Sequence, residues 1–98
     1  MQINKTTEND KLTIALEGRL DTTTAPQLEN DLRDALSGLT DLKLDMANLD
    51  YISSAGLRVL LSAQKQMMKQ GSMKLVHVAE TVMEIFEVTG FVDILTIE

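Results

Sequence analysis

Segments with a two-residue hydrophobic repeat alternate along this chain with segments whose repeat is helical, and this alternation limits the fold more than any other feature. Lys11 to Glu17 reads Lys-Leu-Thr-Ile-Ala-Leu-Glu, with Leu12, Ile14 and Leu16 set against smaller or polar neighbours. That is the pattern of a strand with one buried face. Asp41 to Met46 repeats it, with Leu42, Leu44 and Met46 against Asp41, Lys43 and Asp45, and Met73 to Val78 reads as a further strand. Between them, Leu28, Leu32, Ala35 and Leu36 recur at helical spacing. Thr24 and Gln27 form a capping-box start to that helix, Pro26 is tolerated in its first turn, and Gly38 ends it. Leu57, Leu60, Leu61, Gln64 and Met68 mark the inward side of a second helix that Gly71 stops, with Val59, Ala63 and Met67 adjoining. A third helix, Ala79 to Thr89, turns Val82, Met83 and Phe86 inward. Gly90 takes its left-handed cap and Phe91 folds back on the last turn. A turn at Glu8-Asn9-Asp10 makes Met1 to Lys5 an antiparallel edge strand, and Ile94, Leu95 and Ile97 predict a short last strand. The order β-β-α-β-α-β-α-β specifies an α/β fold: one mixed, mostly parallel sheet, with helices packed on it that carry the crossovers.

With 98 residues and 44% hydrophobic content, the chain has material for one domain, residues 1–98, with one core. It has no cysteine, so neither a disulfide nor a thiolate metal site contributes. No apolar run is longer than that of Val59-Leu60-Leu61, which is far too short to cross a bilayer. Met1 to Lys5 does not read as a secretory signal. The expectation is a cytoplasmic protein without membrane insertion. Nine Lys and Arg are scattered among fifteen acids, giving a net charge of −6. A duplex-binding domain needs a basic face, so direct nucleic-acid binding is not expected.

Most enzymatic chemistry is also unrepresented. His77 is the one histidine and is read as structural within its strand pattern, not as a catalytic base. There is no glycine-rich phosphate loop, no H-E-x-x-H and no G-x-S-x-G, and the acids form no spaced pair for acid–base work or a metal. The chain is read as a non-enzyme without cofactor or metal.

Leu49-Asp50-Tyr51-Ile52-Ser53-Ser54-Ala55-Gly56-Leu57 stands apart. It places two small hydroxyl residues at a helix start, where unpaired N–H groups and the helix dipole favour negative charge. Gly56 lets a backbone or ligand come close. A phosphoryl group on Ser54 would add a charge of about −1.5 to −2 that such a helix end tolerates. The same residues also read as an ordinary N-cap, worth about 1 kcal/mol relative to alanine. Local pattern leaves both readings open.

The run Leu49 to Leu60 resembles the signature of anti-sigma factor antagonists, the STAS domain family. Two further blocks agree in order and spacing. Leu16-Glu17-Gly18-Arg19-Leu20-Asp21 matches the family's Gly-x-Leu-Asp turn, and Ile85-Phe86-Glu87-Val88-Thr89-Gly90-Phe91 matches its late Phe-x-x-x-Gly-apolar segment. The resemblance spans almost the whole chain. It implies a protein that, unphosphorylated, binds an anti-sigma factor that is also an ATP-dependent serine kinase, and so frees the sigma factor. Phosphorylation ends the binding, and a metal-dependent serine phosphatase restores it. The phosphorylated position aligns with Ser54. Ser53 stands where many members have Asp, which makes it a competing site, and Ala55 replaces a common Ser or Thr. Around this position the candidate partner surface comprises Asp21, Ser53, Ser54 and Gly56, with Arg58, Ser62 and Lys65 added from the exposed part of the second helix; turn formation or capping is the other reading of Asp21. The default state is a monomer. The alternative function within the same fold is an accessory subunit of a lipid-transport ATPase, or another non-transcriptional protein-binding scaffold.

Overall fold

The computed structural model describes residues 1–98. β1 (Gln2–Glu8) and β2 (Lys11–Leu20) form an antiparallel hairpin, followed by α1 (Ala25–Ala35), β3 (Asp41–Ile52), α2 (Ser54–Gln70), β4 (Ser72–Val76) and α3 (Glu80–Thr89), then a 3₁₀ turn over Phe91–Asp93. The sheet order is β1-β2-β3-β4. β2, β3 and β4 are parallel, as their helical crossovers require.

The period-2 residues meet across the sheet. Leu12 pairs with Leu42 and Leu42 with Met73; Ile14 pairs with Leu44 and Leu44 with Leu75. These rows are buried together with Leu28 and Leu32 of α1, Leu57, Leu60 and Met67 of α2, and Val82 and Phe86 of α3 in one core. The alternate residues on β2, β3 and β4, among them Thr13, Lys43 and Lys74, are only half-buried. The helices therefore cover one face of the sheet.

Several boundaries differ from the sequence expectation. β1 runs on to Glu8 because the turn is tighter than expected, with Asn9 in the left-handed region at φ 58°. β3 continues past Met46 to Ile52. A register shift pairs Ala15 with Asp45 but Glu17 with Asn48, absorbing the exposed Ala47 and Asn48 where the alternation breaks. The final strand is reduced to a single bridge, Leu75 to Ile97, because the left-handed Gly90 (φ 81°) sends the chain into the 3₁₀ turn first. On α2 the inward side is rotated: Val59, Ala63 and Met67 are buried whereas Met68 is 72% exposed. The reason is α1, whose Leu32 and Leu36 lie along the Val59–Ala63 side. His77 lies beyond the end of β4, exposed, at φ 57°, with Nδ1 3.1 Å from Asp45 Oδ1. Thr24 makes no side-chain cap to α1, since its hydroxyl is committed to the preceding turn.

Candidate functional site

β2 and β3 end side by side, with Arg19 paired to Tyr51 and Leu20 to Ile52. The Ser53 N–H donates to the Leu20 carbonyl at 2.9 Å, so the two exits are tied together at the carboxyl edge of the sheet. Binding crevices in open α/β sheets form at that edge.

Asp21 organises the first exit. Its Oδ1 accepts the N–H groups of Thr23 (3.0 Å) and Thr24 (3.1 Å), and its own N–H donates to the Thr24 hydroxyl oxygen at 2.9 Å. That hydroxyl in turn donates to the Arg19 carbonyl at 2.7 Å. This is the turn-forming reading of Asp21. The Arg19 guanidinium stands 3.6 Å from Asp21 Oδ2, with its Cζ 4.3 Å from the centre of the Tyr51 ring. The Thr24 amide foremost, then the Thr23 amide, the Thr24 hydroxyl and Arg19, hold the Asp21 carboxyl below the ordinary 3.8, against a partial desolvation that raises it. A depressed native pKa stabilises fully above the ordinary value and is lost as pH falls through the depressed one. An NMR titration of the Asp21 carboxyl should therefore report a midpoint below 3.8. Asp21→Asn should abolish that acid-side response of the Thr23 and Thr24 amides. A midpoint at the ordinary value would overturn this account of the turn.

The second exit is shaped by Gly56. A Cβ there would lie 2.7 Å from Leu20 Cγ and 2.8 Å from Ile52 Cγ1, so only glycine lets the first turn of α2 press onto the strand ends. With Gly56 inward, Ser54, two residues back and more than half a turn around the helix, faces out and is exposed. Ser53 is extended (φ −100°, ψ 177°); its carbonyl accepts the Leu57 N–H, while its Oγ is buried and has no partner. Neither serine side chain caps α2, so the simple N-cap reading does not describe this junction.

Arg58, one turn beyond Ser54, is exposed and helps line a shallow depression with Thr22, Ala25, Pro26 and Glu29. Ser62 lines its continuation, the groove between α1 and α2. Lys65 extends the same helical stripe but lines neither hollow. The structure thus gathers Asp21, Ser53, Ser54, Gly56 and Arg58 around one junction, with Ser62 and Lys65 leading away from it. The Arg19–Tyr51 contact was missed by sequence reasoning. Both residues sit in the recognised blocks, but their pairing depends on the shifted register of β2 and β3.

The family model described as the STAS domain matches residues 2–98. Among curated proteins, BtrV of Bordetella bronchiseptica is 41% identical over 85 residues, covering 85% of this chain and 73% of BtrV. The anti-sigma-B factor antagonist of Bacillus subtilis is 34% identical over 101 residues, covering 99% of this chain and 92% of that protein. Among solved structures, SpoIIAA in its unphosphorylated form matches with a TM-score of 0.77 at 16% identity, over 99% of this chain and 87% of that one. An anti-sigma factor antagonist from Mycobacterium paratuberculosis matches with a TM-score of 0.88 at 18% identity, over 98% and 83% of the two chains. At those identities the structural likenesses show the fold.

Proposed function

The chain belongs to the STAS domain family, and from that premise we propose that it is an anti-sigma factor antagonist switched by phosphorylation of Ser54. The observation that carries this reading is the contrast between two adjacent hydroxyls: Ser54 is exposed on the first residue of α2, whereas Ser53 Oγ is buried. A kinase can reach the first without unfolding the helix start, which favours Ser54 over Ser53.

Unphosphorylated, the neutral Ser54, the Asp21 turn and the stripe Arg58, Ser62 and Lys65 form the face that binds an anti-sigma factor. That partner holds ATP and is itself the serine kinase; this chain is its substrate, not a catalyst. Binding releases the sigma factor. Transfer of a phosphoryl group to Ser54 places a charge of about −1.5 to −2 at the start of α2, which the N–H groups and dipole accept without remodelling the fold. The partner surface, fitted to a neutral hydroxyl, must then bury an unpaired charge, and affinity falls by about a hundredfold or more. A metal-dependent phosphatase resets the switch. The cycle runs in the cytoplasm, with the chain monomeric between complexes.

The names of the Bacillus subtilis and Listeria monocytogenes relatives, both anti-sigma-B factor antagonists, support this reading. The test is incubation of the purified chain with ATP and soluble extract of its source organism, followed by fragment mass spectrometry. A single phosphate on Ser54, absent in Ser54→Ala, is expected. Phosphate on Ser53 would keep the mechanism and move the residue. None at all, with the extract's kinases active on a control substrate, would overturn the switch and favour the transporter-accessory role.

A further inference from the structure

α3 is anchored to the core by Val82 and Phe86, both fully buried. At about 100° per residue, Thr81, Ile85 and Val88 form a second stripe roughly a third of a turn from those anchors. With Glu84 and Thr89 they line a shallow hollow on the surface. Val88 is 87% exposed, and the chain runs on from it into Val92 and Ile94, at 37% and 44%. The other exposed large hydrophobics, Tyr51 and Met68, lie on other elements. A concentration of this kind marks an interaction surface more than scattered exposure does.

The charge around it has one sign. Glu80, Glu84 and Glu87 follow one another at helical spacing along the flank of the Ile85–Val88 stripe, and Asp93 lies in the 3₁₀ turn that follows. No Lys or Arg occurs after Lys74. The ion pairs of the molecule, Lys5–Asp31, Arg19–Asp21, Arg33–Glu29 and His77–Asp45, include none of these acids. An apolar stripe with an unneutralised acidic border is complementary to a helix that carries an apolar face and basic flanks.

We infer that α3 and the 3₁₀ turn after it form a docking surface for a cationic amphipathic helix of a partner protein. Its apolar side chains seat against Ile85 and Val88, and its Lys or Arg side chains face Glu80, Glu84 and Glu87. A second copy of this chain fits poorly, because a two-fold contact sets the same glutamate row against itself. Anionic membranes and nucleic acid are repelled for the same reason. This surface lies on a different helix from the Arg58–Lys65 stripe and carries the opposite charge, so the inference stands independently of the phosphorylation of Ser54.

The test is amide chemical-shift mapping by NMR with a synthetic Leu/Lys peptide patterned as an amphipathic helix, and with its Leu/Glu counterpart. The Leu/Lys peptide should perturb α3 and Phe91–Ile94, and the Leu/Glu peptide should not. Val88→Ser and Glu84→Lys should each weaken binding by about tenfold, the scale of losing one anchor. Both positions lie on the outer side of α3, so an unchanged amide spectrum of the free variants verifies the fold. Shifts centred on the acids of α1, or affinity indifferent to Val88→Ser, would overturn the inference. So would dimerisation, or binding to anionic vesicles, that Val88→Ser abolishes.

Discussion

Gly71→Ala is expected to lower the unfolding free energy by about 3 kcal/mol, the upper end of what overpacking costs. A Cβ on Gly71 would overlap the Thr40 carbonyl oxygen, with the Thr40 carbonyl carbon at 2.6 Å and Cα at 2.7 Å. Those atoms are backbone, so no rotamer change relieves the contact. The approach is close because several links converge there. The Gly71 N–H ends α2 by donating to the Met67 carbonyl at 2.7 Å, and the Ser72 N–H donates to the Thr40 carbonyl at 2.9 Å. The Gln70 amide donates to the Leu36 and Leu39 carbonyls of the loop between α1 and β3. Displacing Gly71 loosens all of these together. Urea unfolding followed by circular dichroism measures the effect, with Gly38→Ala as the reference. A Cβ on Gly38 would meet nothing within 4 Å, which leaves the left-handed φ of 77° as its sole penalty, a loss of about 1 kcal/mol. Equal losses for the two variants would mean that the Thr40 backbone yields, and that the α2–β4 turn is not a rigid link. Because Gly71 and Ser54 lie at opposite ends of α2, the phosphorylation proposed at Ser54 should survive the substitution in the folded fraction.

Phe86→Ala should cost about 3–5 kcal/mol, a large part of the stability of a domain this size. Phe86 is fully buried, and the only other fully buried side chain of α3 is Val82, one turn earlier. Removing the ring takes away apolar burial and leaves a cavity between α3 and the sheet. The loss should therefore be local before it is global. Amide exchange should rise first through Glu80–Thr89 and then through the 3₁₀ turn, whose Leu95 N–H bonds back to the Phe91 carbonyl at 2.9 Å. A loss below about 1 kcal/mol would show that α3 rests on the sheet without depending on the ring. The variant also separates two surfaces: the Ser54 junction belongs to β3 and α2, so it should keep its geometry when α3 loosens.

The element types were legible because they depend on near neighbours in the chain. Leu12, Ile14 and Leu16, or Leu42, Leu44 and Met46, declare a buried strand face wherever the strand goes. Gly90 after Thr89 declares a helix end because few other residues take its φ of 81°. The candidate site was legible in part for the same reason: a serine pair followed by Ala-Gly between a strand and a helix signals an uncrowded helix start. Less legible were the features that need a partner from elsewhere. Thr24 had the composition of an N-cap, yet its hydroxyl serves the Asp21 turn. Met68 had the spacing of the inward face of α2, yet α1 packs beside that face and rotates it away.

From sequence alone came the α/β class, the order of the elements through α3, the rows of core leucines and the junction that holds Ser54. These follow from periodicity, turn chemistry and recognisable blocks, all of which are local. Only the tertiary structure decided how far β3 runs, where the β2–β3 register shifts, that Arg19 meets Tyr51, that Ser53 turns in while Ser54 turns out, and that the last predicted strand is a single bridge. Each of these depends on which groups compete for the same space or hydrogen bond once distant segments meet. That competition is settled by packing against the sheet, because burial leaves room for one arrangement while the chain by itself allows several.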